Sequence, residues 1–185
     1  ARGRNQAERA GQRLATAGLV ALYASPLRRA GETAEIIGRA AGLDVTLVEG
    51  LREMNTGHAS GLHSAQFMVR HPRLWWAWLR DDAELAFPGG DTLSAFYSRA
   101  AETIGALVVR HTGQALAVVA HGGVISGYLS LLLHGRGSNR FALRLRNGSI
   151  SHLRWRDGTP PQLLAFNDTS HLRKQSPIEQ RPSTE

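Results

Sequence analysis

The chain has 185 residues and a mass of 20.1 kDa, and 42% of its residues are hydrophobic. That length supports one well-filled core, and that apolar fraction excludes an intrinsically disordered chain. The absence of cysteine excludes a disulfide scaffold, a thiolate nucleophile and a Cys-ligated zinc site. No apolar run reaches about 18 residues, the length of a membrane-spanning helix, so we expect a soluble, cytoplasmic protein without a membrane partner.

The formal net charge of +7 comes almost entirely from arginine, since Lys174 is the only lysine. The arginines are scattered, without the basic runs and interleaved aromatics of grooves that bind single-stranded nucleic acid. This distribution favours a solvated surface, and no nucleic-acid partner is expected. A positive field suits an anionic small molecule better, which leaves a basic nucleic-acid binder as the weakest alternative.

In chain order, the first part of the sequence alternates helical and extended apolar periodicity. The patterns predict a helix, a strand, a helix and a strand over residues 4–17, 19–24, 26–41 and 45–48. Gly42 is expected to end the second helix. Ser25 is expected to cap the start of that helix, with Pro26 as its first residue. The alternation is typical of βαβ units and a mostly parallel sheet.

The alternation resumes after a less regular segment, residues 57–90. The patterns then predict a helix, a strand, a helix and two late strands over residues 92–111, 115–120, 122–134, 148–155 and 162–166. The late strands flank an Asp157-Gly158 turn. Residues 173–185 are polar and are expected to be a mobile tail, and we assign residues 1–172 to one domain.

The sharpest functional candidate is His121, which follows the most strand-like segment and precedes Gly122 and Gly123. In parallel α/β sheets, ligands bind at the carboxyl ends of the strands. The glycines let a ligand approach the backbone closely, and the following helix offers free N–H groups to an anion. The alternative is a histidine that only caps the turn.

Two further segments follow predicted strands in the same way. Arg28 and Arg29 lie in the first turn of a predicted helix, where the helix dipole disfavours positive charge, so a bound anion would explain them. Glu53 lies in a turn after the next strand and could place a carboxylate over the same strand ends. Taken singly, the arginines could equally face solvent, and Glu53 could be an ordinary surface acid.

Together these segments resemble the histidine phosphatase superfamily, also called phosphoglycerate-mutase-like. The resemblance covers residues 3–172, and its motifs occur in the family's order and spacing. In this sequence they are Ser25-Pro-Leu-Arg-Arg-Ala with Thr33-Ala-Glu, Leu51-Arg-Glu with Gly57, Pro88-Gly-Gly-Asp-Thr with Arg99, Val118-Val-Ala-His-Gly-Gly, and Asn147-Gly-Ser-Ile. The resemblance implies a three-layer α/β sandwich with a mostly parallel central sheet and helices on both faces.

The resemblance also implies a mechanism. In the family, a histidine of an Arg-His-Gly segment attacks phosphorus and forms a phosphohistidine. Arg29 matches the arginine that clamps the phosphate, and His121 would donate to a phosphate oxygen together with the Gly122 N–H. Glu53 would serve as general acid and then general base. The expected substrate is a phosphorylated small molecule, and neither a metal nor another cofactor is implied.

Departures from the family pattern qualify these expectations. The 185 residues contain no Arg-His-Gly, and their first residues match the element that follows it, so we expect the natural protein to begin earlier. Asp91 stands where the family has glutamate after the Gly-Gly turn. Ser60 stands in place of a second glutamate, which bears on local hydrogen bonding more than on catalysis.

The side chains that contact the leaving group belong to the variable segment 57–90, so the substrate itself is not predicted. His58 and His63 flank a loop there and are expected at the surface, with substrate contact as the alternative. The cluster of Trp75, Trp76 and Trp78 is expected in the core, with an apolar lid as the alternative.

Three functions therefore stay open. A phosphomonoester hydrolase is favoured over a phosphoglycerate mutase, because the segment before the Pro-Gly-Gly turn is compact. A catalytically inactive relative that binds a phosphorylated ligand is favoured by the missing Arg-His-Gly, but the retained Arg29, Glu53 and His121 disfavour it. A homodimer is compatible with the sequence, which does not determine the oligomeric state.

Overall fold

The computed structural model describes residues 2–80, 82, 84–135, 143–156 and 159–173. In these residues the helices α1 to α6 span Arg2–Leu14, Arg28–Ala41, Ser64–Arg70, Pro72–Leu79, Leu93–Arg110 and Gly122–His134. The strands β1 to β5 span Leu19–Ala24, Val45–Leu47, Ala115–Val119, Ile150–Arg156 and Thr159–Asp168. Short 3-10 helices cover Glu49–Leu51, Gly57–Ala59 and Ser170–Leu172.

A parallel sheet in the order β2-β1-β3 forms the centre of the fold. β1 lies in the middle, where Leu22 is opposite Val45 of β2 and Ala117 of β3. The helix α2 makes the crossover that a parallel pair requires between β1 and β2. β4 and β5 pair antiparallel with each other. The α/β class and the parallel central sheet are thus confirmed.

Helices cover both faces of this sheet, which gives the fold three layers. On one face, Leu22 of β1 packs with Ala10 of α1 and Ile37 of α2. On the other face, Tyr23 belongs to a cluster that includes Val124 of α6 and the buried side of α5. Successive strand residues point to opposite faces, so β1 supplies both cores. No helix in the described ranges is both long enough and apolar enough to cross a membrane.

The start of α2 differs from the prediction. The helix begins at Arg28, with Leu27 in the N-cap position and no side-chain cap. The prediction that Ser25 caps the helix and Pro26 opens it is therefore wrong. Ser25 is fully buried, and its hydroxyl faces the histidine that follows β3, which is the physical reason that it does not serve as the cap. The predicted end is correct, since Gly42 closes α2 with φ 68°.

Other elements are found with shifted ends. α1 stops earlier than predicted because the backbone tightens there, and the N–H of Ala17 donates to the carbonyl of Leu14, three residues back. β5 extends the predicted strand 162–166 backwards through two prolines. Proline is tolerated at such a place because β5 pairs only with β4 among the described residues, which leaves its other edge without a ladder to break. The predicted Asp157-Gly158 turn lies outside the described residues.

The segment of irregular periodicity contains the short helices α3 and α4. Phe67 of α3 packs edge-on against Trp75 of α4, with ring centroids 5.7 Å apart. Trp78 packs edge-on against Phe87, at 5.3 Å. These two tryptophans contact the core, as expected, whereas Trp76 is 57% exposed and departs from that expectation.

Candidate active site

Three loops bring the predicted site residues to one edge of the sheet. Arg29 lies in the first turn of α2 after β1, Glu53 lies in the loop after β2, and His121 lies directly before α6, after β3. The three strands are parallel, so their carboxyl ends meet at the same edge, where α/β folds bind ligands. The carboxylate of Glu53 accepts an N–H from the first turn of the helix that His121 precedes. The charges of Arg29 and Glu53 both act on the His121 imidazole.

His121 is the buried centre of this group. The residue is 7% exposed, and its Nε2 lies 2.7 Å from Oγ of Ser25. Burial lowers the pKa of the imidazole below its ordinary value of 6.5, and the charge of Arg29 lowers it further, whereas the charge of Glu53 raises it. The ring is therefore neutral at neutral pH in the ligand-free protein and carries a single N–H donor.

The structure separates the two neighbouring arginines. Arg28 forms an exposed ion pair with Glu32 one turn along α2, with its Nε 2.6 Å from the carboxylate oxygen. Arg29 instead acts electrostatically on His121, and no hydrogen bond from its guanidinium is seen among the described residues. Arg29 thus keeps a full set of donors for an anion at the sheet edge, whereas the charge of Arg28 is compensated elsewhere.

The carboxylate of Glu53 rests on the amino terminus of α6. One carboxylate oxygen accepts the N–H of Gly123 at 3.1 Å, and the other accepts the N–H of Met54 at 3.0 Å. The partial positive charge at a helix amino terminus favours a carboxylate in this position. Glu53 is half-buried, so it is held in place while one side stays open.

The two glycines at the start of α6 have different surroundings. A Cβ at Gly123 would overlap the carboxylate of Glu53, whereas a Cβ at Gly122 would meet nothing within 4 Å. Gly122 is exposed, and no partner for its N–H is seen in the described part of the chain. One amide of the helix start is thus occupied by Glu53, and the preceding one is open to a ligand.

A half-buried group of hydrogen bonds, centred on Arg99 and Asp91, fixes the loop that carries Glu53. The guanidinium of Arg99 donates to the carbonyls of Gly50 and Arg52 at 3.0 and 2.9 Å, and it pairs with Asp91 at 3.3 Å. The same carboxylate oxygen of Asp91 accepts the N–H of Asn55 at 3.0 Å. The shorter acid at position 91 therefore still reaches the loop, and α5 is tied to the segment on either side of the candidate general acid.

The variable segment carries the histidines His58 and His63 and a small cavity. His58 and His63 are exposed, as expected. A cavity of about 230 Å³ lies beside them, bounded mainly by aromatic side chains and by Thr56. Thr56 follows Glu53 by three residues, which limits the distance between their Cα atoms to about 11 Å. The cavity wall is therefore close to the candidate general acid, although it is built from the segment that carries no motif.

Sequence reasoning missed the roles of three groups. Ser25 was expected to cap a helix, the Gly-Gly pair was treated as one ligand-approach feature, and Arg99 was noted only as part of a motif. Each acts through a contact between segments far apart in the chain, such as the 96 residues between Ser25 and His121. The only sequence signal for the roles of the Ser25 hydroxyl and of Gly123 is that both residues lie beside motif residues.

The residues that the structure describes contain no group of three or more His, Asp or Glu arranged to hold a metal ion. The candidate residues at the sheet edge are one cation, Arg29, one carboxylate, Glu53, and one neutral imidazole, His121. This set, with the Gly122 amide, can bind an anion and move a proton at an adjacent atom.

Comparisons with known proteins agree with the fold. A sequence profile described as histidine phosphatase superfamily (branch 1) matches residues 1–169. The chain is 33% identical to phosphoglycerate mutase-like protein 4 of Arabidopsis thaliana over 173 residues, which are 92% of this chain and 74% of that protein. It is 29% identical to phosphoserine phosphatase 1 of Hydrogenobacter thermophilus, over 92% of this chain and 81% of that protein. YhfR of Bacillus stearothermophilus matches with a TM-score of 0.85 at 25% identity, over 93% of this chain and 85% of that one.

Proposed function

The chain belongs to the histidine phosphatase superfamily, and we propose that it is a phosphomonoester hydrolase that acts through a phosphohistidine intermediate. The observation that carries the proposal is the convergence of Arg29, Glu53 and His121 at one edge of the parallel sheet. A cation, a neutral N–H donor and a carboxylate in one place match the two needs of phosphoryl transfer, which are charge stabilisation and proton transfer.

The phosphate is bound by three donors in this proposal. The fork of Arg29 takes two phosphate oxygens, since a guanidinium matches them in a bidentate manner. His121 donates its one N–H to an oxygen, and the open Gly122 amide adds a donor at the helix amino terminus. Because the His121 ring and the Gly122 amide are held in place before the substrate arrives, they stabilise, together with the charge of Arg29, the charge that spreads over the equatorial oxygens during transfer.

Glu53 moves the proton. In the first step the nucleophile forms a bond to phosphorus while the bond to the leaving oxygen breaks, and the protonated carboxyl of Glu53 gives its proton to that oxygen. In the second step the carboxylate takes a proton from water as the water attacks the phosphoenzyme and releases inorganic phosphate. The amides of Met54 and Gly123 hold the carboxylate in the position that both steps require.

The proposal requires a nucleophilic histidine in an Arg-His-Gly segment, which the 185 residues do not contain. The sheet has room for a strand that would carry it. Among the described residues β3 pairs only with β1, so the other edge of β3 is open to a further strand beside His121. We propose that the natural protein supplies this strand and its histidine at the amino terminus.

A second candidate is transfer of the phosphoryl group between two positions of a phosphoglycerate, because one relative is named phosphoglycerate mutase-like. We favour hydrolysis, since the segment between Glu53 and the Pro88 turn is compact and its described residues form only two short α-helices, α3 and α4. Assaying phosphate release and phosphoglycerate isomer exchange with the same preparation separates the two activities.

The proton role of Glu53 is tested with two kinds of substrate on the full-length protein. Glu53→Gln is expected to lower kcat about a hundredfold or more for a serine or sugar phosphate, whose alkoxide must be protonated to leave. The loss should be much smaller for p-nitrophenyl phosphate, whose phenolate leaves without a proton.

Glu49→Gln is the matched control, because Glu49 is an exposed acid of the same loop and pairs with Arg52 on the surface. It is expected to keep wild-type rates with both substrates. Equal losses on the two substrates, or no loss, for Glu53→Gln would contradict the assignment of Glu53 as the general acid.

A further inference from the structure

The hydroxyl of Ser25 has an environment that a surface serine would not have. The residue is fully buried, and its own N–H continues the sheet by donating to the carbonyl of Val119 at 3.0 Å. Its Oγ lies 2.7 Å from Nε2 of His121 and accepts the N–H of Leu27 at 3.3 Å. Backbone contacts to β3 and to the start of α2 thus fix a hydroxyl group against the imidazole.

The contacts of Ser25 determine which imidazole nitrogen carries the proton. The N–H of Leu27 can only donate, so it uses a lone pair of Oγ. A fully buried hydroxyl proton needs an acceptor, and in the described residues the remaining partner of Oγ is Nε2 of His121. Donation to Nε2 satisfies the hydroxyl, whereas a proton on Nε2 would leave the hydroxyl without an acceptor. A neutral imidazole whose Nε2 accepts a hydrogen bond carries its own proton on Nδ1.

Nδ1 is the nitrogen that a ligand can reach. Among the described residues, the one buried side-chain nitrogen or oxygen without a hydrogen-bond partner is Nδ1 of His171. Nδ1 of His121 likewise has no hydrogen-bond partner in those residues, but it is not completely buried. The donor of the neutral ring therefore faces the open side of the site.

We propose that Ser25 is a positioning residue that holds His121 in the Nδ1–H form with that N–H directed at the bound phosphate. The proposal rests on the proposed function, because only an anion at the sheet edge gives the orientation of this donor a consequence. Ser25 is not itself a nucleophile in this account: its side chain is completely buried, and a substrate phosphorus cannot come within bonding distance of Oγ.

The tautomer can be measured without any enzymatic activity. We expect long-range proton–nitrogen correlation spectra of histidine-labelled protein at neutral pH to show His121 in the Nδ1–H form. In Ser25→Ala the hydrogen bond to Nε2 is lost, and the spectra should move to a mixture of the two tautomers. Ser130→Ala is the control, since Ser130 is an equally buried serine on α6, outside the site, and this substitution should leave the His121 signals unchanged.

The consequence for the ligand is measured by titrating the same proteins with inorganic phosphate. Ser25→Ala is expected to weaken phosphate binding about tenfold, because the donor is no longer held toward the site, and Ser130→Ala should bind as the wild type does. Thermal unfolding of both variants shows whether either substitution lowers the stability of the whole protein. A binding loss caused by general loss of structure can then be distinguished from the loss expected for Ser25→Ala.

The outcomes distinguish this inference from the proposed function. An Nε2–H tautomer in the wild type, or unchanged tautomer and affinity in Ser25→Ala, overturns the role of Ser25. The predicted tautomer and its loss in Ser25→Ala, in a wild type that binds no phosphate, would support the hydrogen bond that orients His121 and overturn the proposed function instead.

Discussion

The two sides of the candidate site are built differently. On the phosphate side, Ser25, Arg29 and His121 stand directly at strand ends and helix starts, and the central ring is buried and hydrogen-bonded. On the leaving-group side, the chain runs through 3-10 turns and the short helices α3 and α4, with an aromatic cavity between them. Under the proposed function, this difference means that the fold dictates the phosphate chemistry, while the inserted segment is free to set what the phosphate is attached to.

The largest expected effect is on the phosphate side. Arg29→Ala should lower kcat/KM about a thousandfold, because it removes a preorganised charge that faces the transferring group. Arg28→Ala is the matched control, since the neighbouring Arg28 pairs with Glu32 on the surface, and it should keep nearly the wild-type rate. Similar losses in the two variants, measured by phosphate release, would show that a general positive field and not the position of Arg29 matters.

Substitution of the glycine that contacts the Glu53 carboxylate should lower the rate almost as much. Gly123→Ala is expected to lower kcat for alkyl phosphates about a hundredfold, because the new Cβ displaces the carboxylate of Glu53. Gly105→Ala places the same methyl group in open space on α5 and serves as the control. A Gly123→Ala enzyme with wild-type kcat would show that catalysis does not depend on where the carboxylate rests.

Substitutions on the leaving-group side should change the free energy of unfolding and leave the affinity for phosphate unchanged. Trp78→Ala removes an edge-on contact with Phe87 and should lower the free energy of unfolding by about 2 kcal/mol, while inorganic phosphate binds as before. Trp76→Ala should change stability by less than about 0.5 kcal/mol, since that side chain is 57% exposed. Urea unfolding and phosphate titration measure both quantities, and weakened phosphate binding in Trp78→Ala would erase the distinction between the two sides.

The smallest effects are shifts in the titration of His121. Its pKa should lie below 6.5 in the wild type, rise in Arg29→Ala and fall in Glu53→Gln, because these groups from α2 and from the loop after β2 act on it with opposite signs. The unfolded chain then binds the proton more readily than the folded one, so this residue lowers stability as the pH falls from 6.5 to the folded pKa. Histidine resonances followed against pH give the shifts, and an unchanged pKa in both variants would contradict the geometry of the cluster.

Much of the phosphate side could be predicted because its signals are local. A histidine, an arginine and a glutamate that each follow a strand of one parallel sheet must come together, whatever the rest of the chain does. The placement of β1, β2, β3, α2 and α5 follows from apolar periodicity, and their ends moved by at most two residues.

The remaining features depend on contacts that no local pattern encodes. Ser25 followed by Pro26 has the composition of a helix start, yet the tertiary position of His121 draws its hydroxyl into the interior and α2 begins at Arg28. Gly122 and Gly123 are adjacent residues of the same type, and only the approach of Glu53 from the loop after β2 distinguishes them. The helices α3 and α4 are too short to show a clear helical periodicity of apolar residues, so the aromatic cavity could not be predicted from the sequence.

The most direct test is to mix the full-length protein with a phosphomonoester, quench the reaction within one turnover and determine the intact mass. We predict one added phosphoryl group that is lost in mild acid and kept in base, as the nitrogen–phosphorus bond of a phosphohistidine requires. An adduct that survives acid would place the phosphoryl group on a hydroxyl. The absence of any adduct during measurable phosphate release would likewise contradict the phosphohistidine intermediate.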